Sequence, residues 1–258
     1  MASAAITSYI DVAQVVLYAF WAFFAGLIWH LRSEDKREGY PLESDRSKHV
    51  LVQGLPPIPA PKALQLAHEG KVVPHRDERD LTGLLTPAAP WPGAPMEPLG
   101  DPMRDGVGPA SYAMRADVPD VTFDQQLPKI VPLRAADGYY LASEDPDPRG
   151  YKVVTADGRI AGTVVDAWID RSETLVRYLE ADAEGSSGAR RVIFPMALSR
   201  VDRKRRQVKL ASVLAAQFVE APQLQNADTI TLREEDRIVG YFAGGHLYAT
   251  PQRLGPYL

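Results

Sequence analysis

Charged positions are absent from one long stretch near the start of the chain. Val12–Leu31, VAQVVLYAFWAFFAGLIWHL, carries no formal charge and is framed by Asp11 and Arg32; no second run of that length is charge-free. At about 1.5 Å rise per residue it predicts a helix roughly 30 Å long, the hydrocarbon thickness of a bilayer. Beyond it the pattern changes twice. Residues 54–109 hold twelve of the 22 prolines. Proline lacks a backbone donor and fixes φ, so long helices and central strands are not expected there. From 130 to 215, short apolar runs separated by turn residues predict antiparallel strands. Lys152–Thr155, Ala156-Asp157-Gly158 and Arg159–Ile169 read as a hairpin, with Asp-Gly supplying positive φ. In its second strand Val164, Asp166, Trp168 and Asp170 are expected on one face, and Val165, Ala167 and Ile169 on the other. Leu175–Asp182, Arg190–Phe194 and Gln207–Leu210 are further strands, together predicting a small barrel. Thr231-Leu-Arg-Glu234 is a capping box that opens a C-terminal helix, and Gly244-Gly245 is expected to end it.

Charge gives the anchor an orientation. Residues 1–11 contain no Lys or Arg, whereas Arg32, Lys36 and Arg37 follow the span directly. Positive charge stays on the cytoplasmic side, so the C-terminal bulk is expected there. A cleaved signal peptide would place its basic cluster before a shorter apolar core. Trp29 and His30 fall at the interfacial end, Gln14 can hydrogen-bond a partner helix, and Ala19, Ala22, Ala25 and Gly26 admit close helix packing. The predicted organisation is a stub over 1–11, a membrane helix over 12–31, a juxtamembrane and proline-rich extended segment over 32–110, and a mainly-β domain over 111–258. The proline-rich stretch reads as a linker or as coil laid on another protein. Lacking a core of its own, residues 40–110 are expected to order only against partner subunits.

Composition narrows the chemistry. The chain has 258 residues, net charge −4 and no Cys, which gives no reason to expect nucleic acid and excludes disulfides and thiolate metal sites. Histidines at 30, 49, 68, 75 and 246 show no metal-ligand spacing. No nucleophile elbow, phosphate loop, zinc-protease or dinucleotide motif is present. Asp145-Pro-Asp-Pro-Arg-Gly150 is a rigid turn. Arg203-Lys-Arg-Arg206 reads as a solvated hairpin turn, or more sharply as a contact for anionic lipid or a partner. Asp166, Asp170, Glu173, Glu180 and Asp182 lie within seventeen residues, interleaved with Arg171 and Arg177. On a free domain these are surface charges; under a covering partner, burial would shift carboxyl pKa values and permit proton relay.

The words along the chain resemble a known family almost end to end. They run from Asp11-Val-Ala-Gln14 and Phe24-Ala-Gly-Leu-Ile28 through Arg32-Ser-Glu-Asp-Lys-Arg-Glu-Gly-Tyr-Pro-Leu42 to Asp101-Pro-Met-Arg-Asp-Gly-Val-Gly-Pro-Ala-Ser-Tyr112. Lys129-Ile-Val-Pro132, Gly162-Thr-Val-Val-Asp-Ala-Trp-Ile-Asp170, Arg177-Tyr-Leu-Glu180 and Glu234-Glu-Asp-Arg-Ile-Val-Gly-Tyr-Phe-Ala-Gly-Gly245 follow. This is similar to the H subunit of the photosynthetic reaction centre of purple bacteria, a PRC-barrel family. Residues 43–95 are the least similar.

The resemblance implies a non-catalytic subunit in the bacterial inner (intracytoplasmic or chromatophore) membrane, with a periplasmic N-terminus and a cytoplasmic PRC barrel. It implies no redox cofactor on this chain, with bacteriochlorophyll, bacteriopheophytin, quinones and non-haem iron in the L and M subunits that it caps. A cytochrome subunit and a light-harvesting ring are further candidate partners, besides membrane lipids. Proton delivery to the secondary quinone is implied for Glu173, with Asp170 and Arg177 as charged neighbours and Asp124 where protons enter. Some family members carry histidines in that loop; here it reads Asp124-Gln-Gln-Leu127, and Gln cannot titrate. Two rivals stand beside this reading: a membrane-tethered PRC-barrel module with an unrelated partner, and an anchored enzyme, for which the sequence carries no motif.

Overall fold

The computed structural model describes residues 11–44, 47–66, 70–72, 79–81, 83–91, 94–184 and 190–254. Residues 1–10 of the expected stub, His68 and His75 lie outside these. The chain forms two compact units, Met1–Arg76 with Ala89–Ala94, and Asp77–Ala88 with Pro95–Leu258.

In the first unit, α1 spans Val12–Asp35 and contains the whole predicted membrane segment. Asp11 caps it, its carboxylate accepting the Gln14 amide at 2.7 Å. The helix runs one turn past Leu31 because Arg32–Asp35 are good or neutral helix residues with no proline. None of its side chains is buried, the expected state of a helix whose apolar surface awaits lipid. It is long and apolar enough to cross a membrane once. Lys36, directly after it, is buried, and among the described contacts no carboxylate pairs with it. Its ammonium donates to the carbonyls of Gln53 and Pro56 at 2.7 Å each and lies 5.2 Å from the centre of the Tyr40 ring. A buried cation is tolerated when its donors are satisfied. Gly54 at φ 63° turns the chain around it. The proline-rich stretch contributes short ladders only. β1 (Leu42–Ser44) pairs with β2 (Ser47–Val52), and β3 (Leu64–Leu66) with β4 (Gly70–Val72).

In the second unit, β5 (Leu85–Pro87) pairs with β6 (Met96–Pro98), followed by the short α2 (Pro102–Asp105). Met103, Val107 and Ala110 are buried in this unit. The end of the proline-rich segment therefore has an intramolecular core, and order against a partner alone does not describe it. The main sheet comprises β7 (Ile130–Pro132), β8 (Lys152–Thr155), β9 (Ile160–Asp170), β10 (Leu175–Ala183), β11 (Arg191–Pro195), β12 (Ser199–Asp202) and β13 (Gln207–Leu210). Its order is β11-β10-β9-β8-β13-β12, with β7 on β9 beyond the end of β8. The sheet curls as a half-barrel, the mainly-β PRC-type domain expected. One pair departs from the antiparallel pattern: β13 runs parallel to β8. Adjacent strands in sequence favour antiparallel hairpins, but β8 and β13 are distant in the chain, so their relative direction is set by the curl of the sheet.

The face assignment in β9 also needs correction. Pairing steps from Asp166 opposite Glu180 to Val164 opposite Ala181, so Val165 is a bulged residue. The bulge breaks the alternation: Val164, Ala167 and Trp168 all belong to the main core, while Ile169 packs with Val131 and Ala136. The main core adds Leu179, Phe194, Val208 and Leu210 from the sheet, and Phe218 from α3 (Ala215–Glu220). Ile238 and Phe242 come from α4 (Leu232–Tyr248). Phe194, Phe218 and Phe242 form an aromatic triangle with centroids 5.5–6.3 Å apart.

The capping box of α4 forms as predicted: Thr231 Oγ1 accepts the Glu234 amide at 3.1 Å, and Glu234 Oε2 accepts the Thr231 amide at 2.9 Å. Gly244-Gly245 does not end the helix. A side chain on Gly240 would meet the Ala110 and Ser111 carbonyls at 2.8 Å; on Gly244 it would meet Ala110, and on Gly245 Ser212 and Val213. These glycines are contact points for neighbouring backbone, and the cost of glycine in a helix is offset by that close packing.

Candidate functional site

The five clustered carboxylates separate into two groups along the β9–β10 hairpin. At its tip, Asp170 ends β9 fully buried. Its Oδ1 accepts the Ser172 and Glu173 amides at 2.8 and 3.0 Å, which folds the turn. Its Oδ2 is buried without a hydrogen-bond donor. The nearest cation is Lys129 Nζ at 3.8 Å, which also lies 3.6 Å from Asp120. Arg171 locks the turn to the neighbouring loop by donating to the Pro128 and Ala135 carbonyls.

Glu173, one residue past the Asx turn, is half-exposed and faces Arg177 at 3.8 Å. Arg177 owes its position to a second irregularity: pairing skips from Val176 to Tyr178, leaving Arg177 bulged at the strand edge. Asp124 stands apart. It is exposed on the loop closed by hydrogen bonds between Thr122 and Leu127. Among the described contacts, none joins it to Asp170, Glu173 or Arg177. The structure therefore brings three of the four predicted site residues together.

Behind Arg177 the cluster continues inward through residues that sequence reasoning missed. The buried Tyr178 hydroxyl donates to Glu235 Oε2 at 2.9 Å. Burial raises the Glu235 carboxyl above its ordinary value, opposed by the Tyr178 hydrogen bond and by Arg177 and Arg115. Burial and the Glu235 charge raise the Tyr178 phenol. A signal existed: Glu235 falls on the stripe of Ile238, Phe242 and Gly245, the inward face of α4.

The sign of the pH dependence follows. Folded Glu235 holds its proton to higher pH than the unfolded chain does, so it costs stability as pH rises above the usual carboxylate range. Tyr178→Phe removes the bond that steadies the anion. It is expected to cost about 1.5–3 kcal/mol at neutral pH, the worth of a hydrogen bond to a charged group. The loss should shrink in acid, where Glu235 is protonated. Urea melts at both pH values check this; an equal loss at both would contradict it.

The second group lies mid-strand. Arg134 Nη1 donates to Asp166 Oδ2 at 3.0 Å and to Glu180 Oε2 at 2.5 Å. Arg191 donates to Glu180 Oε1 at 3.0 Å and lies 3.5 Å from the half-exposed Asp182, and the Trp168 indole donates to Glu180 Oε2 at 3.1 Å. Arg134 and Asp166 line an open cleft of about 620 Å³ together with Tyr139, Tyr140, Asp145, Asp147 and Arg149. In that turn Arg149 holds the Asp147 carboxyl below its usual range through a 2.6 Å hydrogen bond. These carboxylates are hydrogen-bonded and form a structural knot, unlike Asp170 Oδ2, which has no hydrogen-bond donor.

A membrane-length helix, a proline-rich stretch and a curled sheet carrying this hairpin place the molecule among the PRC-barrel proteins: residues 142–215 match the PRC-barrel domain. Residues 4–135 match the family described as photosynthetic reaction centre, H-chain N-terminal region. The chain belongs to the photosynthetic reaction centre H-chain family. It is a structural subunit that associates with the reaction centre core.

Proposed function

We propose that this H subunit caps the cytoplasmic face of the L and M subunits and carries part of the proton supply to their secondary quinone. In this reading the bacteriochlorophyll, bacteriopheophytin, quinones and non-haem iron are held by L and M, and the quinone bound there takes up two electrons and two protons. The N-terminus is periplasmic and the barrel cytoplasmic, in keeping with Arg32, Lys36 and Arg37 directly after the apolar run.

One observation carries the proton role. Asp170 keeps a buried oxygen with no donor, three residues in sequence from the half-exposed Glu173. Buried polar atoms are rarely left unbonded, so such an oxygen is a place for a proton or a water. Its partner oxygen is held by two amides, which fixes the carboxylate without consuming both sides. Lys129 stabilises negative charge there at 3.8 Å. Glu173 offers the next carboxylate outward, and Arg177 orients it. Asp124, exposed on the adjoining loop, would collect protons where Gln125 and Gln126 cannot.

Glu173→Gln keeps the shape and removes the titration. In the intact complex, flash spectroscopy should show the proton-coupled second electron transfer to the secondary quinone slowed on the order of 10²-fold, a typical contribution of a positioned acid–base group. The first transfer should slow less, and primary charge separation should be unchanged. A second transfer with unaltered rate and pH dependence would remove Glu173 from the route.

A further inference from the structure

The β12–β13 hairpin carries a charge that no function described so far uses. Residues 199–210 hold Arg200, Arg203, Lys204, Arg205, Arg206 and Lys209 against a single acid, Asp202, a net +5 in a chain of net −4. Elsewhere on this unit arginines face carboxylates: Arg104 pairs with Glu220, Arg115 with Asp236, Arg191 with Glu180 and Arg233 with Asp117. At the tip, Arg203, Lys204, Arg205 and Arg206 are all exposed, and among the described contacts none forms an ion pair.

The hairpin keeps these cations against local preference. Arg200 stands opposite Lys209 across the ladder, a like-charge pair that disfavours the strands. Arg206 adopts φ 51°, where glycine or asparagine is the usual occupant. Asp202 spends its carboxylate on the turn itself, accepting the Arg205 amide at 3.0 Å with Lys209 Nζ at 3.9 Å. Arg206 folds back over the Tyr151 ring at 5.0 Å. The tip thus presents three exposed cations, Arg203, Lys204 and Arg205, without an ion pair among the described contacts.

We infer that this hairpin docks on the headgroups of anionic phospholipid at the membrane surface. The chain carries its own membrane helix, so the local concentration of lipid is high, and an acidic chain otherwise avoids an anionic surface. Each Lys or Arg near such a surface strengthens binding about fivefold, so three together give on the order of 10²-fold. The inference rests on membrane anchoring and is independent of the proton route.

The absence of cysteine allows a clean label. Full-length chain with Lys204→Cys carrying a nitroxide would be placed in nanodiscs of neutral phosphatidylcholine, or with one-third phosphatidylglycerol. A nickel chelate on the lipid headgroup then reports contact. Strong relaxation in the anionic discs, lost at high salt and reduced about 30-fold in occupancy by R203Q/R205Q, is the expected result. All substituted side chains are exposed, so folding should survive. Equal relaxation in both lipids would overturn the proposal. So would a label that contacts neither lipid and is immobilised only when the core subunits are added, which would assign the patch to a protein partner.

Discussion

Arg134→Met is expected to destabilise the barrel unit by about 3 kcal/mol, the lower end of the range for breaking a buried ion pair. The Asp166 and Glu180 side chains are each 6% exposed and share one guanidinium nitrogen. Removing it leaves two adjacent anions. Glu180 retains Arg191 and the Trp168 indole, whereas Asp166 retains only backbone amides. Methionine keeps most of the packing volume, so the loss reads charge and not cavity. Because Arg134 itself is one-third exposed, solvent moderates the effect. Adding Asp166→Asn to Arg134→Met should recover about half of it, since the remaining carboxylate then has a cationic partner. Denaturant melts of both variants check this. A loss below about 0.5 kcal/mol, the scale of ordinary surface changes, would show that the knot is solvent-screened.

Gly244→Val is expected to cost about 2–3 kcal/mol, as overpacking at a closed backbone contact does. The new Cβ would fall against the Ala110 side chain, 2.9 Å from its Cα and 3.1 Å from its backbone nitrogen. Neither backbone atom can yield as a flexible side-chain tip would. The helix gains roughly 0.5 kcal/mol from losing a glycine, which the clash exceeds. His246→Ala, on the exposed face of the same helix, should stay within about 0.5 kcal/mol. If Gly244→Val melts with the native protein, the close approach of α4 to Gly108–Ala110 is wrong.

What could be read ahead of the fold depended on whether the determinant was local. An uncharged run of membrane length, an Asp-Gly turn and a Thr-x-x-Glu cap each settle their own element, and α1, the β8–β9 hairpin and the start of α4 form as expected. Gly244-Gly245 misled because a helix-ending signal and a packing signal use the same residue. The bulges at Val165 and Arg177 escaped because strict alternation assumes a regular ladder. Parallel pairing of β8 with β13 and the small α3 depend on how the whole sheet curls.

The candidate site divides the same way. Glu173, Asp170 and Arg177 are neighbours in sequence and in space. Lys129, Asp120 and Glu235 reach the cluster from other segments, and Arg134 reaches Asp166 and Glu180 from 32 and 46 residues away. No spacing rule within one element reports such contacts.

The proposed capping role requires a pigmented core seated on this chain. Affinity purification through a tag on this subunit from native membranes, followed by one absorption spectrum, tests that directly. The spectrum should show bacteriochlorophyll and bacteriopheophytin bands in constant ratio to the chain through successive chromatography steps. A colourless preparation in which the chain is folded and partnered by other proteins would contradict it.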